Sequence, residues 1–395
     1  MDRIVVTGMG VISAIGNTVA ENRTSLTEGR SGISRLESFP SKFAGMVPVG
    51  EIKMTTEALQ QHLAAYEPGV TRTSLLALHA MKDAIADSQL TAAQIAAPDT
   101  ALIGASTVGG MCLTDEMYQD SRKDSQGSEY ISSYDYSSIC LYLQKRYAMQ
   151  GPVNTISTAC SSSANSIMYG ARLIRSGRAQ RAIVGGVDSL AKFTINGFNA
   201  LHILSPDPCT PFDAGRKGLN LGEGAAFLVL EKESDVAGKK IYASLSGYAN
   251  ANDAFHASSL SDNGEGPYRV MEAALKVANL GTDQIDFINA HGTGTENNDK
   301  VESIAMKRLF GTVPAFASTK ANIGHTLGAA GAIEAVYCIL NLSEQELYPG
   351  IHFNTPIEGT DLIPNQHYRR EALTHIMSNS FGFGGNCSSL IFSKA

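Results

Sequence analysis

The chain of 395 residues has no tryptophan, and only 17% of its residues are charged. No run of about 18 apolar residues occurs, which argues against a membrane-spanning helix. There is no excess of positive charge: 31 Lys and Arg stand against 38 Asp and Glu, a formal net charge of −7. That balance argues against a nucleic-acid partner. The six cysteines, at 112, 140, 160, 209, 338 and 387, form no CxxC pair. Neither a disulfide framework nor a zinc-type ligand set is therefore written into the spacing, and the pattern fits a reducing, cytoplasmic setting. No Pro-rich linker, low-complexity tract or short-period repeat divides the chain. Its opening, MDRIVVTGMGVIS, mixes acid and base with glycine-interrupted apolar residues, and reads as a first strand and turn rather than a signal peptide.

What is present is abundant small residue, including 38 glycines, and a hydrophobic fraction of 43%. That is enough for one large core or two fused half-domains. Short β-like runs (TALIGAST, RAIVGGVDS, GAAFLVLEKE, CSSLIFSKA) alternate with helical ones (TSLLALHAMKDAIADS, ANSIMYGARLIRSGRA, YRVMEAALKVANL, GAAGAIEAVYCILNL). Such alternation predicts an α/β architecture with helix-covered sheets. A boundary between two α/β halves is placed at 240/241, after the strand ending near Glu231 and the basic turn AGKK.

One cysteine stands apart by its neighbours. In NTISTACSSS, Cys160 precedes a run in which Ala164, Ile167, Met168, Ala171 and Ile174 recur at helical spacing. A thiol at the start of a helix meets the positive end of its dipole, which lowers the thiol pKa. Most free cysteines are buried filler, and this segment alone leaves the two readings evenly matched. Two histidines shift the balance. His291, in INAHGTGT, ends a strand before a Gly–Thr loop, and His325, in STKANIGHTLGAAG, starts a small-residue helix with Lys320 five residues upstream. Loop–element junctions of this kind carry functional groups more often than cores do.

Cysteine and two imidazoles suit one chemistry. A thiolate takes an acyl group from a thioester and surrenders it to a carbon nucleophile. That nucleophile can be made by loss of carbon dioxide from a malonyl thioester, and two neutral imidazoles can donate to the thioester oxygen that gains charge. Lys320 supplies a fixed charge or ties the loop. Glu334 either anchors Lys320 or is an ordinary exposed helix position, the latter being the default. Near the C-terminus, NSFGFGGNCSSL sets Phe381 and Phe383 among Gly382, Gly384 and Gly385. The loop is a candidate gate, and the Phe383 N–H a second oxyanion donor beside that of Cys160.

These segments together (TACSSS, HGTGT, STKANIGH with LGAAGAIEA, NSFGFGG, and also TPFDAGRKGLNLGEGAAFLVLE and IVVTGMGVISAIGN) resemble the elongating beta-ketoacyl-[acyl-carrier-protein] synthases, close to synthase II, along essentially the whole chain. The resemblance implies a thiolase-like fold, two similar α/β halves in a five-layer α-β-α-β-α arrangement (1–240 with the cysteine, 241–395 with the histidines). It implies a homodimer, or a heterodimer with a related subunit, working with an acyl carrier protein and no cofactor or metal beyond the carrier's phosphopantetheine. By motif, it assigns Cys160, His291, His325 and Lys320 to catalysis. Phe383 and Gly384 are assigned to the oxyanion and gating loop. Thr293, Thr295, Val108 and Phe381 are assigned to substrate binding, and Glu334 and Asp299 to support.

Some positions depart from the family pattern. Asn386 and Cys387 follow the glycines where threonine and asparagine are usual, Thr210 stands where an arginine precedes the proline, Leu219 replaces a common phenylalanine, and QQHLAAYEPGVTRTS is poor in basic residues. They point toward a specialised ketosynthase of a polyketide, polyene or similar lipid pathway as well as toward fatty-acid synthesis. Rival readings have weaker support. A non-catalytic chain-length partner would lack Cys160, and a thiolase would carry a second cysteine before the final glycine loop. A starter-type synthase would replace one histidine by asparagine. The GMGVIS fragment is an incomplete dinucleotide fingerprint.

Overall fold

The structure, a computed structural model, describes residues 2–123 and 127–395. Ten strands form one sheet: β1 (Ile4–Ser13), β2 (Thr100–Ala105), β3 (Val153–Ile156), β4 (Arg181–Asp188), β5 (Gly224–Lys232), β6 (Ala243–Asn252), β7 (Phe287–Asn289), β8 (Ala315–Ala317), β9 (His375–Phe381) and β10 (Asn386–Lys394). Their order is β8-β7-β9-β10-β6-β1-β5-β4-β2-β3. Read outward from the centre, the two halves match. In β1-β5-β4-β2-β3 the first two pairings are antiparallel and the last two parallel. In β6-β10-β9-β7-β8 the same succession holds. The halves meet at a short antiparallel seam, Val5 opposite Ser244 and Val6 opposite Ala243.

The helices repeat the duplication. α1 (Arg72–Ser88), α2 (Ser138–Arg146) and α3 (Ser162–Arg175) serve the first half; α4 (Lys192–Ala200) lies between β4 and β5; α5 (Glu265–Ala278), α6 (Glu296–Phe310) and α7 (Ala330–Glu344) serve the second. α1 and α2 cover the outer face of one half-sheet, α5 and α6 that of the other, and α3 and α7 are packed between them. This is the five-layer α-β-α-β-α body that the sequence resemblance implies. The parallel edge pairs β2–β3 and β7–β8 each need a helical crossover, which α2 and α6 provide. The halves are joined by residues 233–242, and we propose the division at 240/241 within that connection.

Small residues set the layer spacings. α7 is buried along nearly its whole length, from Ala330 to Leu342, and a Cβ on its Gly331 would stand 2.8 Å from the Ala164 nitrogen of α3. The same logic explains the glycines of the opening segment, where a strand and turn were expected and one continuous strand is found. Gly8 and Gly10 lie inside the continuous strand β1, where added Cβ atoms would meet the Ala84 and Ala80 carbonyls of α1 at 2.4 and 2.1 Å. They are helix–sheet contacts. Among the described residues, no helix is long and apolar enough to cross a membrane.

Candidate active site

The two central helices bring the reactive groups together, because the segments leading into α3 and α7 converge. Cys160 sits on a tight turn whose preceding residue, Ala159, takes the left-handed conformation at φ 53°. An L-residue held there is strained, and the surroundings must impose it. Ser162 does so: its hydroxyl accepts the Thr158 N–H (2.8 Å) and donates to the Ala159 carbonyl (2.5 Å). α3 starts at Ser162 with Ser161 as N-cap, so the helix begins directly after the cysteine, as the apolar spacing predicts.

His291 follows β7 and is held from behind by α6. Glu302 accepts the N–H groups of His291 (2.8 Å) and Gly292 (2.9 Å). One turn earlier, Asp299 accepts those of Thr293 (2.9 Å), Gly294 and Phe212 (2.7 Å). Asp299 had been assigned to support by motif alone. Glu302 was not singled out, although its i+3 relation to Asp299 on a helix was the available signal. His325 is fixed by its N–H to the Asn220 carbonyl at 2.7 Å.

The resulting geometry is close. His325 Nε2 lies 3.0 Å from Cys160 Sγ, and the two imidazole rings are 5.4 Å apart and nearly perpendicular. Lys320 Nζ approaches His291 Nδ1 (3.2 Å), the His291 carbonyl (2.6 Å) and Glu334 Oε1 (2.5 Å). An ammonium only donates, so His291 Nδ1 accepts and its proton is on Nε2. For His325, the Leu327 N–H donates to Nδ1 at 3.2 Å, which also leaves the proton on Nε2. Burial first, then the Lys320 charge, holds both imidazoles well below the usual histidine range. Both rings are therefore neutral at pH 7 and both present Nε2–H.

The sulfur behaves differently from the sequence expectation. Burial pushes the Cys160 thiol up to about 11, against the opposing Lys320 charge and the N–H groups of Phe383 and Cys160. Desolvation of the buried sulfur opposes the pull of the helix start. His325 Nε2, which already carries hydrogen, does not accept the thiol proton without giving up Leu327. Iodoacetamide modification of the free protein is thus expected to accelerate about tenfold per pH unit between about pH 7 and 9. A rate that levels off below pH 8 would show that the dipole prevails after all.

Cys160, His291 and His325 place their donor atoms within 4.8 Å of one another, a proximity that sequence spacing did not show. The set does not fit a metal ion, since both Nδ1 atoms are occupied by donors and neither Nε2 has a free lone pair. The adjacent Lys320 ammonium adds repulsion.

The other assigned residues divide. A cavity of about 480 Å³ reaches Cys160, His291 and His325 and is also lined by Thr293, Thr295, Phe381 and Phe383. The Thr293 and Thr295 hydroxyls are 2.8 Å apart, and the Phe381 ring lies edge-on to His291 at 5.8 Å. Phe383 stacks on Phe198 of α4 (centroids 5.9 Å, 15° between planes), a contact with no sequence signal. Glu334 corrects the default reading: it is 1% exposed and is the counter-ion of Lys320. Gly384 does not join an oxyanion hole, because its N–H is bonded to the Ala257 carbonyl (2.8 Å). Val108 does not line this cavity. It belongs to a buried cluster with Leu190, Leu219 and Leu327, and its N–H is held by Asp188 (2.9 Å). Asp188 also accepts Gly328 N–H (2.7 Å), tying that loop to the His325 segment. Cys387 packs in the C-terminal core with Met271 and Ile391, as a structural thiol.

A Cys–His–His site at the convergence of two central helices, within a duplicated five-layer α/β body, defines a thiolase-like condensing enzyme. Family models agree: Beta-ketoacyl synthase, N-terminal domain matches residues 1–236, and Beta-ketoacyl synthase, C-terminal domain matches residues 242–354. The chain belongs to the beta-ketoacyl synthase family, elongating type close to synthase II. It is 33% identical to 3-oxoacyl-[acyl-carrier-protein] synthase 2 of Vibrio harveyi, over 99% of this chain and 98% of that protein. It is 32% identical to the protein of the same name from Staphylococcus aureus, over 99% and 98%. Among solved structures, it resembles the ishigamide ketosynthase/chain length factor with a TM-score of 0.94 and 29% identity, covering 100% of this chain and 99% of that one. It also resembles a ketosynthase in complex with its chain length factor from Xenorhabdus doucetiae (TM-score 0.86, 31% identity, 100% and 98% covered).

Proposed function

We propose that the chain condenses an acyl thioester with malonyl-acyl carrier protein to give a 3-oxoacyl-acyl carrier protein, by a ping-pong route through acyl-Cys160. The observation that carries this reading is the pair of neutral, Nε2-protonated imidazoles beside one buried cysteine sulfur. In the first half-reaction the Cys160 sulfur attacks the acyl thioester carbonyl and the carrier thiol leaves with the proton. The N–H groups of Cys160 and Phe383 face that sulfur and stabilise the oxyanion. In the second, the malonyl carboxylate leaves as carbon dioxide, and its electron pair passes into an enolate whose oxygen receives the Nε2–H bonds of His291 and His325. The enolate carbon then attacks acyl-Cys160 and expels its thiolate, which takes up a proton from water to restore the thiol. Thr293 and Thr295 hold the phosphopantetheine arm along the cavity, and Phe383, with Phe381 beneath it, gates access. Lys320 and Glu334 orient His291, and Asp299 supports the loop. No cofactor or metal enters this scheme.

The physiological partner is an acyl carrier protein, in a cytoplasmic fatty-acid, polyketide or polyene pathway. A second subunit, identical or of chain-length-factor type, is supported by the outer edge of β3, which pairs with no further strand among the described residues, and by Leu141 of the adjoining α2, which is 56% exposed. Intact-protein mass spectrometry after incubation with acyl carrier thioesters, then malonyl carrier protein, tests the reading. An adduct on Cys160 that malonyl carrier discharges is the expected result; an adduct on another residue would sink it. His325→Ala is expected to keep self-acylation while condensation falls by about 10²–10³. Loss of acylation with malonyl decarboxylation intact would contradict the assigned roles.

A further inference from the structure

Where β4 ends, Asp188 is fully buried, and its carboxylate gathers two segments that are far apart in the chain. Oδ1 accepts the Ser106 hydroxyl (2.6 Å) and the N–H groups of Thr107 and Val108 (2.9 Å each), from the turn that follows β2. Oδ2 accepts the Thr107 hydroxyl (2.6 Å) and the Gly328 N–H (2.7 Å), from the turn that leads into α7. The fit leaves no room for a side chain at position 328. A Cβ there would stand 2.9 Å from Asp188 Oδ2 and 3.1 Å from Thr107 Cγ2.

Gly328 follows a strained residue. Leu327 is held at φ 51°, in the left-handed region, although it is not glycine. Such a conformation persists only where the surroundings impose it. Its side chain is buried in the cluster that also holds Val108, and the peptide that follows it is the one Asp188 grips. This conformation aims the Leu327 N–H at His325 Nδ1.

Resting on the condensing reading above, we infer that Asp188 is a positioning residue for condensation. By gripping Gly328 it keeps Leu327 left-handed, and through the Leu327 N–H it holds the His325 proton on Nε2, where the enolate oxygen requires it. Released from that donor, the neutral ring can carry its proton on Nδ1 and turn an Nε2 lone pair toward Cys160 Sγ, 3.0 Å away. The ring then accepts the thiol proton instead of donating to an enolate.

Two variants break the grip in different ways. In Asp188→Asn the amide oxygen can keep the Thr107 and Val108 N–H groups, which sets its NH2 against the Gly328 N–H. Gly328→Ala forces the same parting by bulk and leaves the charge in place. Thr107→Val is the control, since it removes one donor to Asp188 and keeps Gly328 bonded. In the first two, malonyl-acyl carrier protein decarboxylation is expected to fall about 10²-fold, while kcat/KM for acylation of Cys160 by octanoyl-acyl carrier protein stays within about threefold. Iodoacetamide alkylation of the free proteins supplies a readout that a merely structural role would not move. The apparent Cys160 pKa is expected to fall by at least about one unit in both variants and to stay at the wild-type value in Thr107→Val. The other charged or titratable groups facing the sulfur, His291, Lys320 and Glu334, are unaltered, so a shift common to both variants reports the His325 proton.

A shift in Asp188→Asn alone would reflect only the lost negative charge and overturn the inference. Wild-type decarboxylation in the folded variants would overturn it as well. If Asp188→Asn does not fold, an unshifted profile in Gly328→Ala is decisive against it. Absence of condensation by the wild-type protein would instead strike the condensing reading, and the alkylation profiles, which need no acyl substrate, would still report whether Asp188 sets the His325 proton.

Discussion

Cys160→Ala is expected to abolish acyl transfer: no covalent adduct by intact-protein mass spectrometry, and condensation lower by at least about 10⁴. The magnitude follows from the site. No other thiol among the described residues shares the cavity, since Cys209 contacts the Lys320 carbonyl from the other side and Cys387 lies in the C-terminal core. The imidazoles donate and do not attack, so nothing substitutes for the sulfur. The turn itself should survive, because Ser161 and Ser162 hold it through hydroxyls and the Cβ remains. A melting temperature close to wild type should therefore accompany the loss of chemistry. Full condensation in this variant would overturn the assignment of the nucleophile.

Glu334→Ala is expected to produce the largest loss of stability, about 3–5 kcal/mol in denaturant unfolding, because it strands a buried ammonium. Lys320 and Glu334 are each 1% exposed. Replacing both, as Lys320→Met with Glu334→Leu, should recover most of that loss, since the two charges disappear together. Activity should not recover with it. Without the Lys320 donor, His291 is free to take the other tautomer and turn its lone pair toward the substrate oxygen. Condensation in the double variant is expected to fall about 10²–10³, with self-acylation largely kept. A double variant that folds and condenses at the wild-type rate would show that Lys320 has no role in setting the proton on Nε2.

Legibility differed by the kind of signal. Strand and helix periodicity was readable because β4, β5, α1 and α7 carry long apolar patterns whose local preference agrees with their place in the fold. The duplication left no short-period repeat in the sequence; it shows in the strand order and direction that the two halves share. Glu334 read as a surface position because an acid on a helix usually faces water, and only the packing of α7 between the two half-sheets buries it. The Phe198–Phe383 stack joins residues far apart in the chain and left no local trace. Val108 was assigned to the acyl pocket by motif; Asp188 holds its loop, and its buried cluster shares Leu219 with the wall of the cavity without Val108 itself lining that cavity.

The sequence by itself nominated Cys160, His291, His325 and Lys320, because each sits in a short segment whose small and polar neighbours suit the chemistry, and the fold brings the four side chains together. It also determined the alternation of strands and helices, which depends on local pattern. Only the tertiary structure decided the protonation of that set. The site of the proton on each imidazole follows from Lys320 and Leu327 as donors, and the raised thiol follows from burial beneath the converging helices. Hydrogen-bond partners and solvent exclusion arise from contacts across the whole fold, and no local segment of the chain encodes them.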